Sequence, residues 1–320
     1  MKKISLIILN WNGHKMTLNC LKSVSKVKLK DFNLDVVVVD NGSTDGSVEH
    51  LRSVIDDQFS LFGKRQTTDN RLSITIRLIE NRENLGFVGG NNKGIKYALE
   101  SGADYVCLLN NDTRVDPDFL SQLVQVADSD KKIGVVGGKI YFEKGYEFHK
   151  ERYKKEDLGK IIWYAGGMID WANVYGSHRG VDEVDNGQYD ETVETDFVTG
   201  CLMLVKREVF QKIGLLDEKY FLYNEDNDFC QRAKKAGFKL IYTPKAVIWH
   251  LNAGSSRSGS DLQDYFMTRN RLLFGFYWAP FRAKIALFRE SVKHLLFGRK
   301  WQRVGVRDFY LGRFGKGSWN

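Results

Sequence analysis

Proline is nearly absent from this chain, with three among 320 residues, and no stretch of biased composition accompanies them. Long disordered tails are thereby disfavoured. Cysteine is also scarce. Cys20, Cys107, Cys201 and Cys230 are scattered, and none belongs to a Cys-x-x-Cys pair. Each lies in an apolar or helical context. They read as reduced, mostly buried thiols of a cytosolic protein and speak against a zinc site. No apolar run is long enough to span a bilayer. Met1-Lys2-Lys3 before Ile4–Leu9 has a faint likeness to a signal peptide. That run is short, however, and Asn10, Asn12 and His14 follow at once. No Gly-Lys-Ser/Thr occurs, which excludes a phosphate loop of the ATPase type. A dinucleotide site would place Gly-x-Gly-x-x-Gly after the first strand. Here that strand ends in Leu-Asn-Trp-Asn-Gly, and Gly86, Gly89, Gly90 and Gly94 have the wrong spacing.

What is present is an ordinary globular composition with a formal net charge of +8. The length suits one large domain, or a domain plus an extension. The positive balance favours anionic partners, whether nucleic acid, phosphorylated small molecules or a membrane surface. Ile4–Leu9, Val36–Val39, Ile74–Ile79 and Tyr105–Leu109 are apolar enough for strands buried on both faces. Helical patterns run through Leu18, Leu21 and Val24, then Val48, Leu51 and Ile55, then Ile95, Ala98 and Leu99. Residues 56–72 read as a polar connection. Strand, loop and helix thus repeat through about the first 110 residues. That order predicts an α/β fold with a mostly parallel central sheet and helices on both faces.

The second half is less regular. It predicts a helix over Pro117–Ala127, a bent strand over Ile133–Phe142 and a loop over 143–160. Strand character returns over Ile162–Asp170 and Asp196–Val205. A short helix over Lys206–Ile213 precedes two short strands around Pro244. From about Asp261 onward basic residues outnumber acids heavily, and Ile285, Phe288, Val292 and Leu295 fall on one helical face. A basic amphipathic segment with aromatics suits an anionic membrane surface. A helical tail packed on the main domain, with a solvated basic face, accounts for the same stripe equally well.

In a parallel sheet ligands bind at the carboxyl ends of the strands. Polar clusters follow Leu9, Val39, Ile79 and Leu109, so the chemistry is expected there. Asp40, in Asp40-Asn41-Gly42-Ser43-Thr44-Asp45, can accept hydrogen bonds from a base imide or a ribose hydroxyl. The plainer reading is a tight capped turn. Asn110-Asn111-Asp112 offers oxygen ligands for Mg²⁺ or Mn²⁺, which would also bind a diphosphate. The stretch from Tyr220 to Arg232 sets Glu225, Asp226 and Asp228 at a helix start, near its positive end. There the plainer reading is a helix cap by Asn224 or Asp226. His250 closes the apolar run Ala246–Trp249.

In this order the motifs resemble glycosyltransferase family 2, in its rhamnosyltransferase-like branch. They are Leu-Asn-Trp-Asn, Val-Val-Asp-Asn-Gly-Ser-Thr-Asp-Gly-Ser, Asn-Leu-Gly-Phe-x-Gly-Gly-Asn-Asn, Leu-Leu-Asn-Asn-Asp, Thr199-Gly200-Cys201, Asn-Glu-Asp-x-Asp and a terminal His. The resemblance covers roughly residues 4–252. It implies the GT-A nucleotide-sugar fold over 1–255, with a nucleotide-binding half (1–112) and an acceptor and catalytic half (113–255). Residues 256–320 remain as a basic amphipathic helical extension.

The resemblance also implies roles. Asp40, Asn10, Asn12, Asn84, Gly89 and Asn111 would bind the nucleotide. Asp112 and His250 would hold Mg²⁺ or Mn²⁺, although Asn110 stands where the fuller Asp-x-Asp pattern has its first acid. Asp226 would be the catalytic base, supported by Glu225 and Asp228. Trp163 and His178-Arg179-Gly180 fall where acceptor-facing loops would be, though an ordinary surface loop accounts for them as well. The implied reaction is inverting transfer from a nucleoside-diphosphate sugar, either dTDP-rhamnose or a UDP-hexose. The acceptor would be a lipid-linked or polysaccharide glycan, as in cell-envelope polysaccharide biosynthesis. The enzyme would be cytoplasmic, or peripheral on the inner face of the plasma membrane, with no nucleic-acid partner. The competing reading is a non-catalytic nucleotide or nucleic-acid binding protein. The carboxylates at 225–228 argue against it, because they repel phosphates unless a cation intervenes. A nucleotidyltransferase would need a basic glycine-rich loop where Asn10-Trp11-Asn12-Gly13 stands.

Overall fold

Nine residues of β1 (Lys2–Asn10) run through the middle of the sheet, and Ile4, Leu6, Ile7 and Ile8 are wholly buried. Such a strand must be covered on both faces, and the architecture of this computed structural model follows from that need. The structure describes residues 1–57, 73–252 and 259–319. Beside β1 lie β2 (Phe32–Asp40) and β4 (Tyr105–Asn110), both parallel to it, and β3 (Ile74–Glu80) extends the parallel run beyond β2. On the other side β11 (Leu202–Lys206) pairs antiparallel with β4 and with β6 (Ile133–Phe142). Next to β6, and parallel to it, comes β12 (Lys239–His250), with β10 (Val193–Glu194) at the edge. Short β5 (Thr113–Val115) pairs with the end of β12, and β7 (Ile162–Tyr164) pairs with β6. A separate hairpin joins β8 (Gly167–Asp170) to β9 (Tyr175–His178). The expected α/β class, with its parallel run of central strands, is the one observed.

Helices α1 (His14–Val24), α2 (Ser47–Asp56), α3 (Gly86–Glu100), α4 (Phe119–Ser129), α5 (Arg207–Ile213) and α6 (Glu225–Lys235) pack around the sheet. The glycines of α3 have a packing reason. A Cβ on Gly90 would sit 2.4 Å from Leu9 Cδ1, and one on Gly94 would sit 2.6 Å from Ile7 Cγ2. Their lack of side chains lets α3 lie directly on β1. The stretch Gly86–Asn92, ahead of the helical pattern through Ile95, is therefore the first two turns of this helix.

Two local readings change, and a third falls largely outside the described residues. Within Asp196–Val205 only the part from Leu202 is strand. The two short strands around Pro244 are one strand, with its register to β6 interrupted between Thr243 and Val247. The polar connection 56–72 lies mostly outside the described residues. All four cysteines are buried free thiols, as expected. Burial pushes the Cys20 thiol up to about 12.

The basic segment forms α7 (Asp261–Trp278), α8 (Phe281–Phe297) and α9 (Lys300–Tyr310). It is held together from inside and shares the core of the rest. Asp308 is buried and accepts from Tyr265 Oη at 2.6 Å and from the Ser318 amide at 2.9 Å. Leu272, Leu273 and Phe274 of α7 and Val306 of α9 belong to the same apolar core as the sheet. Among the described residues no helix is long and apolar enough to cross a membrane.

Candidate active site

The carboxyl ends of β1, β2, β4 and β12 meet on one rim. Three of the residues expected to bind a nucleotide form one hydrogen-bonded chain across it. Asn111 Nδ2 donates to Thr17 Oγ1 at 2.9 Å, Thr17 Oγ1 donates to Asn10 Oδ1 at 2.7 Å, and Asn10 Nδ2 donates to Asp40 Oδ2 at 2.7 Å. Asp40 also accepts from Ser43 Oγ at 2.7 Å and from the Ser43 amide at 2.9 Å. Its carboxylate is fully buried, so it shapes the floor and holds the Ser43 loop in place. Asn12, with φ at 49°, closes that loop from the other side by accepting the Thr44 amide at 2.8 Å.

Asn84 belongs to a second knot whose centre is Asn41, a residue that motif spacing did not single out. Asn41 Nδ2 donates to Asn84 Oδ1 at 2.9 Å and to the Gly86 carbonyl at 3.0 Å. Its Oδ1 accepts from Asn81 Nδ2 at 3.0 Å. Gly89 is not in a loop. It lies in the first turn of α3, where a Cβ would meet Leu85 Cβ at 2.7 Å.

Asp112 and His250 come together as expected. His250 Nε2 stands 3.1 Å from Asp112 Oδ1, and both residues are buried. The pairing of β5 with β12 sets this contact, with Thr113 opposite His250 in register. Among the described residues the buried His250 Nδ1 has no hydrogen-bond partner. Trp163 packs edge-on to both His250 and His178, at ring-centroid distances of 4.6 and 4.3 Å. Burial lowers the His178 pKa to about 4, so that ring is a neutral wall. Arg179 is not free to face a ligand. Its Nε donates to the Ala165 carbonyl at 2.7 Å, and its guanidinium lies over the Tyr189 and Tyr242 rings.

One carboxylate and one imidazole fit a divalent cation that completes its sphere with phosphate oxygens and water, as Mg²⁺ does. Among the described residues no cluster of three acid, His or Cys ligands exists, so the protein alone does not form a closed cage.

The three acids at the start of α6 have different surroundings. Asp226 keeps some exposure and accepts the Gly200 amide at 3.2 Å and the Asn227 amide at 2.8 Å. Burial raises its pKa, and these two amides oppose the rise. Glu225 is buried, and among the described residues its Oε2 has no partner. Burial, and then the charge of Asp226, hold it well above the usual carboxylate range. Asp228 is a correction. It is expected to support the base, but both its oxygens are engaged by other side chains. Oδ2 accepts Arg232 Nε at 2.8 Å and Oδ1 accepts Trp278 Nε1 at 2.9 Å. It joins α6 to α7. The capping reading also fails. Asn224 occupies the cap position in the left-handed region, and its side chain makes no cap bond.

The turn before α6 is strained and held from α7. Phe221, Tyr223 and Asn224 have φ of 64°, 71° and 66°. Asn270 Nδ2 reaches the carbonyls of Tyr220, Leu222 and Tyr223 at 2.8, 2.7 and 2.9 Å. Arg269 donates to Lys219 and Tyr220 carbonyls at 3.2 and 3.0 Å, and to Gly315 at 2.7 Å. Both side chains are fully buried. Motif spacing missed them. The available signal was an adjacent Arg-Asn inside an otherwise apolar helical stripe.

The pattern describing glycosyl transferase family 2 matches residues 5–214. The chain is 25% identical to the N-acetylglucosaminyl-diphospho-decaprenol L-rhamnosyltransferase of Mycobacterium tuberculosis, covering 87% of this chain and 88% of that one. It is 24% identical to the low-salt glycan biosynthesis hexosyltransferase Agl10 of Haloferax volcanii, covering 92% and 79%. Another relative is far longer, and the chain spans 22% of it. Among solved structures, mannosyltransferase PcManGT from Pyrobaculum calidifontis, in complex with GDP-Man and Mn²⁺, aligns with a TM-score of 0.55. That alignment has 16% identity and covers 97% of this chain and 74% of that one.

Two outcomes are expected from this geometry. Asn270→Ala leaves buried carbonyls short of donors and should lower stability by roughly 1–3 kcal/mol, read from urea unfolding. Glu225 favours its neutral form on folding. Its contribution is therefore full below its unfolded value and declines as pH rises through the raised folded value. Glu225→Gln should be more stable than the parent near about pH 8 and lose that advantage below about pH 4. Unfolding midpoints at the two pH values check this.

Proposed function

The chain belongs to glycosyl transferase family 2, and within it we propose an inverting transferase with Asp226 as its general base. The observation that carries this reading is the contrast among the three acids of α6. Among the three, Asp226 is the residue that is not fully buried, has a raised pKa and is held by the Gly200 amide at the rim. A base with an elevated pKa is better matched to taking a hydroxyl proton near neutral pH.

The donor is a nucleoside-diphosphate sugar, dTDP-rhamnose or a UDP-hexose, seated on the chain Asp40, Asn10, Thr17 and Asn111. Asn12 and Asn84 shape the two loops above that floor. Asp112 and His250 would hold Mn²⁺ or Mg²⁺, which when bound offsets the charge gathering on the leaving diphosphate. Asp226 takes the proton of the acceptor hydroxyl as its oxygen bonds to the anomeric carbon. The bond to the diphosphate breaks on the opposite face, and the configuration inverts. Burial disfavours the charged form of Glu225 beside it, which lessens the negative charge set against the acceptor. The acceptor is a lipid-linked or polysaccharide glycan of the cell envelope. The relatives named rhamnosyltransferase and hexosyltransferase support that class. The corresponding location is cytoplasmic, at the inner face of the plasma membrane. The division into 1–112, 113–255 and 256–320 is kept as a functional one, with the last part supplying support to the base.

A panel of nucleotide sugars, dTDP-rhamnose and UDP-hexoses included, identifies the donor by metal-dependent hydrolysis. With that donor Asp226→Asn should fold normally and lose transfer by about 10²–10⁴-fold. Near-normal transfer would move the base to Glu225. Asp112→Ala should need markedly more Mn²⁺ or Mg²⁺ for half-maximal activity, and an unchanged metal titration would remove Asp112 from the ligands.

A further inference from the structure

Helix α8 has two apolar faces, and only one of them is used. Ala283, Leu287 and Ser291 point inward and are buried. On a helix of 3.6 residues per turn, Phe281, Ile285, Phe288, Val292, Leu295 and Leu296 form a separate stripe well round from that inner face. All six are exposed, Phe281 at 77%, Phe288 at 51% and Leu296 at 64%, with Phe297 at 80% beyond them. A continuous outward row of this kind is unusual on a protein that meets only water.

The flanks of the stripe are basic. Arg282, Arg289 and Lys293 border one side and Lys284 the other. Among the described residues none of the four has a carboxylate within ion-pair distance, whereas Arg271 and Arg299 nearby do. Glu290, the one acid of α8, is turned inward and occupied by Arg271 at 2.7 Å. Between residues 280 and 319 ten Lys and Arg face two acids, Glu290 and Asp308.

We propose that α8 is an interfacial helix whose outer stripe docks on the surface of an anionic lipid bilayer. The aromatic and aliphatic side chains enter the boundary between headgroups and acyl chains. The cations beside them meet lipid phosphates. The charge pattern favours this occupant over a second copy of the chain. Pairing two α8 helices would bring Arg282, Arg289 and Lys293 of both copies together, and the outer face carries no acid to offset them. The inference stands whether or not Asp226 is the base.

Full-length protein is sedimented with phosphatidylcholine vesicles carrying about 30% phosphatidylglycerol, and with pure phosphatidylcholine vesicles. Partitioning into the anionic vesicles, fading as salt shortens the Debye length, is expected. Phe288→Asp should reduce it at least about tenfold. Arg289→Gln and Lys293→Gln should each reduce it about fivefold. These side chains are exposed, so far-UV circular dichroism and melting should be unchanged. No sedimentation with anionic vesicles overturns the proposal, as does binding insensitive to all three substitutions. A dimer seen by light scattering and dissociated by Phe288→Asp would assign the face to a second copy. No nucleotide sugar is present in the assay, so a negative result leaves the transferase reading untouched.

Discussion

The candidate site depends on one buried contact, the grip of Arg269 and Asn270 on the turn that ends at Asn224. Three non-glycine residues of that turn sit at positive φ, and each such conformation costs roughly 1–2 kcal/mol for an L-residue. Such a shape persists only where its surroundings over-determine it. Here they do so from several sides. Two buried side chains of α7 satisfy the carbonyls. Phe221 stacks on Phe266 at 5.1 Å, and the Phe221 carbonyl accepts the Val88 amide of α3 at 3.1 Å. Asp228 and Trp278 close the arrangement behind it. The consequence is directional. The turn delivers α6 to the rim with Asp226 outward, Glu225 buried beside it and Asp228 inward.

That geometry changes the meaning of the C-terminal helices. By composition they look like an appendage, since no motif covers them. Physically they are a wall of the site, because the turn would lose its donors without α7. The aligned coverage agrees, since the similarity to the Haloferax volcanii hexosyltransferase extends over 92% of the chain.

Much of the first half was legible because its physics is local. Ile4–Leu9 and Val36–Val39 are apolar on every residue that a doubly covered strand must bury, apart from Ser5. Asp40, Asn10 and Asn111 stand at strand ends, and the strand order alone places them on one rim. Other features depend on distant partners. The contact between Asp112 and His250 arises from a three-residue strand pairing back onto β12. Asn41, Arg269 and Asn270 act by hydrogen bonds across 40 to 50 residues. Gly86–Asn92 is the opposite case. Glycine and asparagine disfavour helix locally, but the close approach of α3 to β1 at Gly90 and Gly94 outweighs that preference. Asp228 was misplaced for a similar reason. Spacing puts it near Asp226 in sequence, and only the approach of Trp278 shows which way it faces.

Helix α8 carries the same lesson further. A periodicity argument finds Ile285, Phe288, Val292 and Leu295 and fits two arrangements equally, a stripe packed on the main domain or one facing an anionic membrane surface. The structure buries the smaller set instead. Ala283 and Ser291 let α8 come close to its neighbours, and Gly275 of α7 has only 2.2 Å between a hypothetical Cβ and Leu287 Cδ1. Close packing on small residues needs no bulky stripe. The bulky stripe is therefore surplus to the fold. Large apolar groups in water cost about 25 cal/mol for each Å² left exposed, and no packing among the described residues recovers that cost. A row that spans the whole helix, edged by cations with no carboxylate partner among the described residues, has chemistry that fits a surface both apolar and anionic.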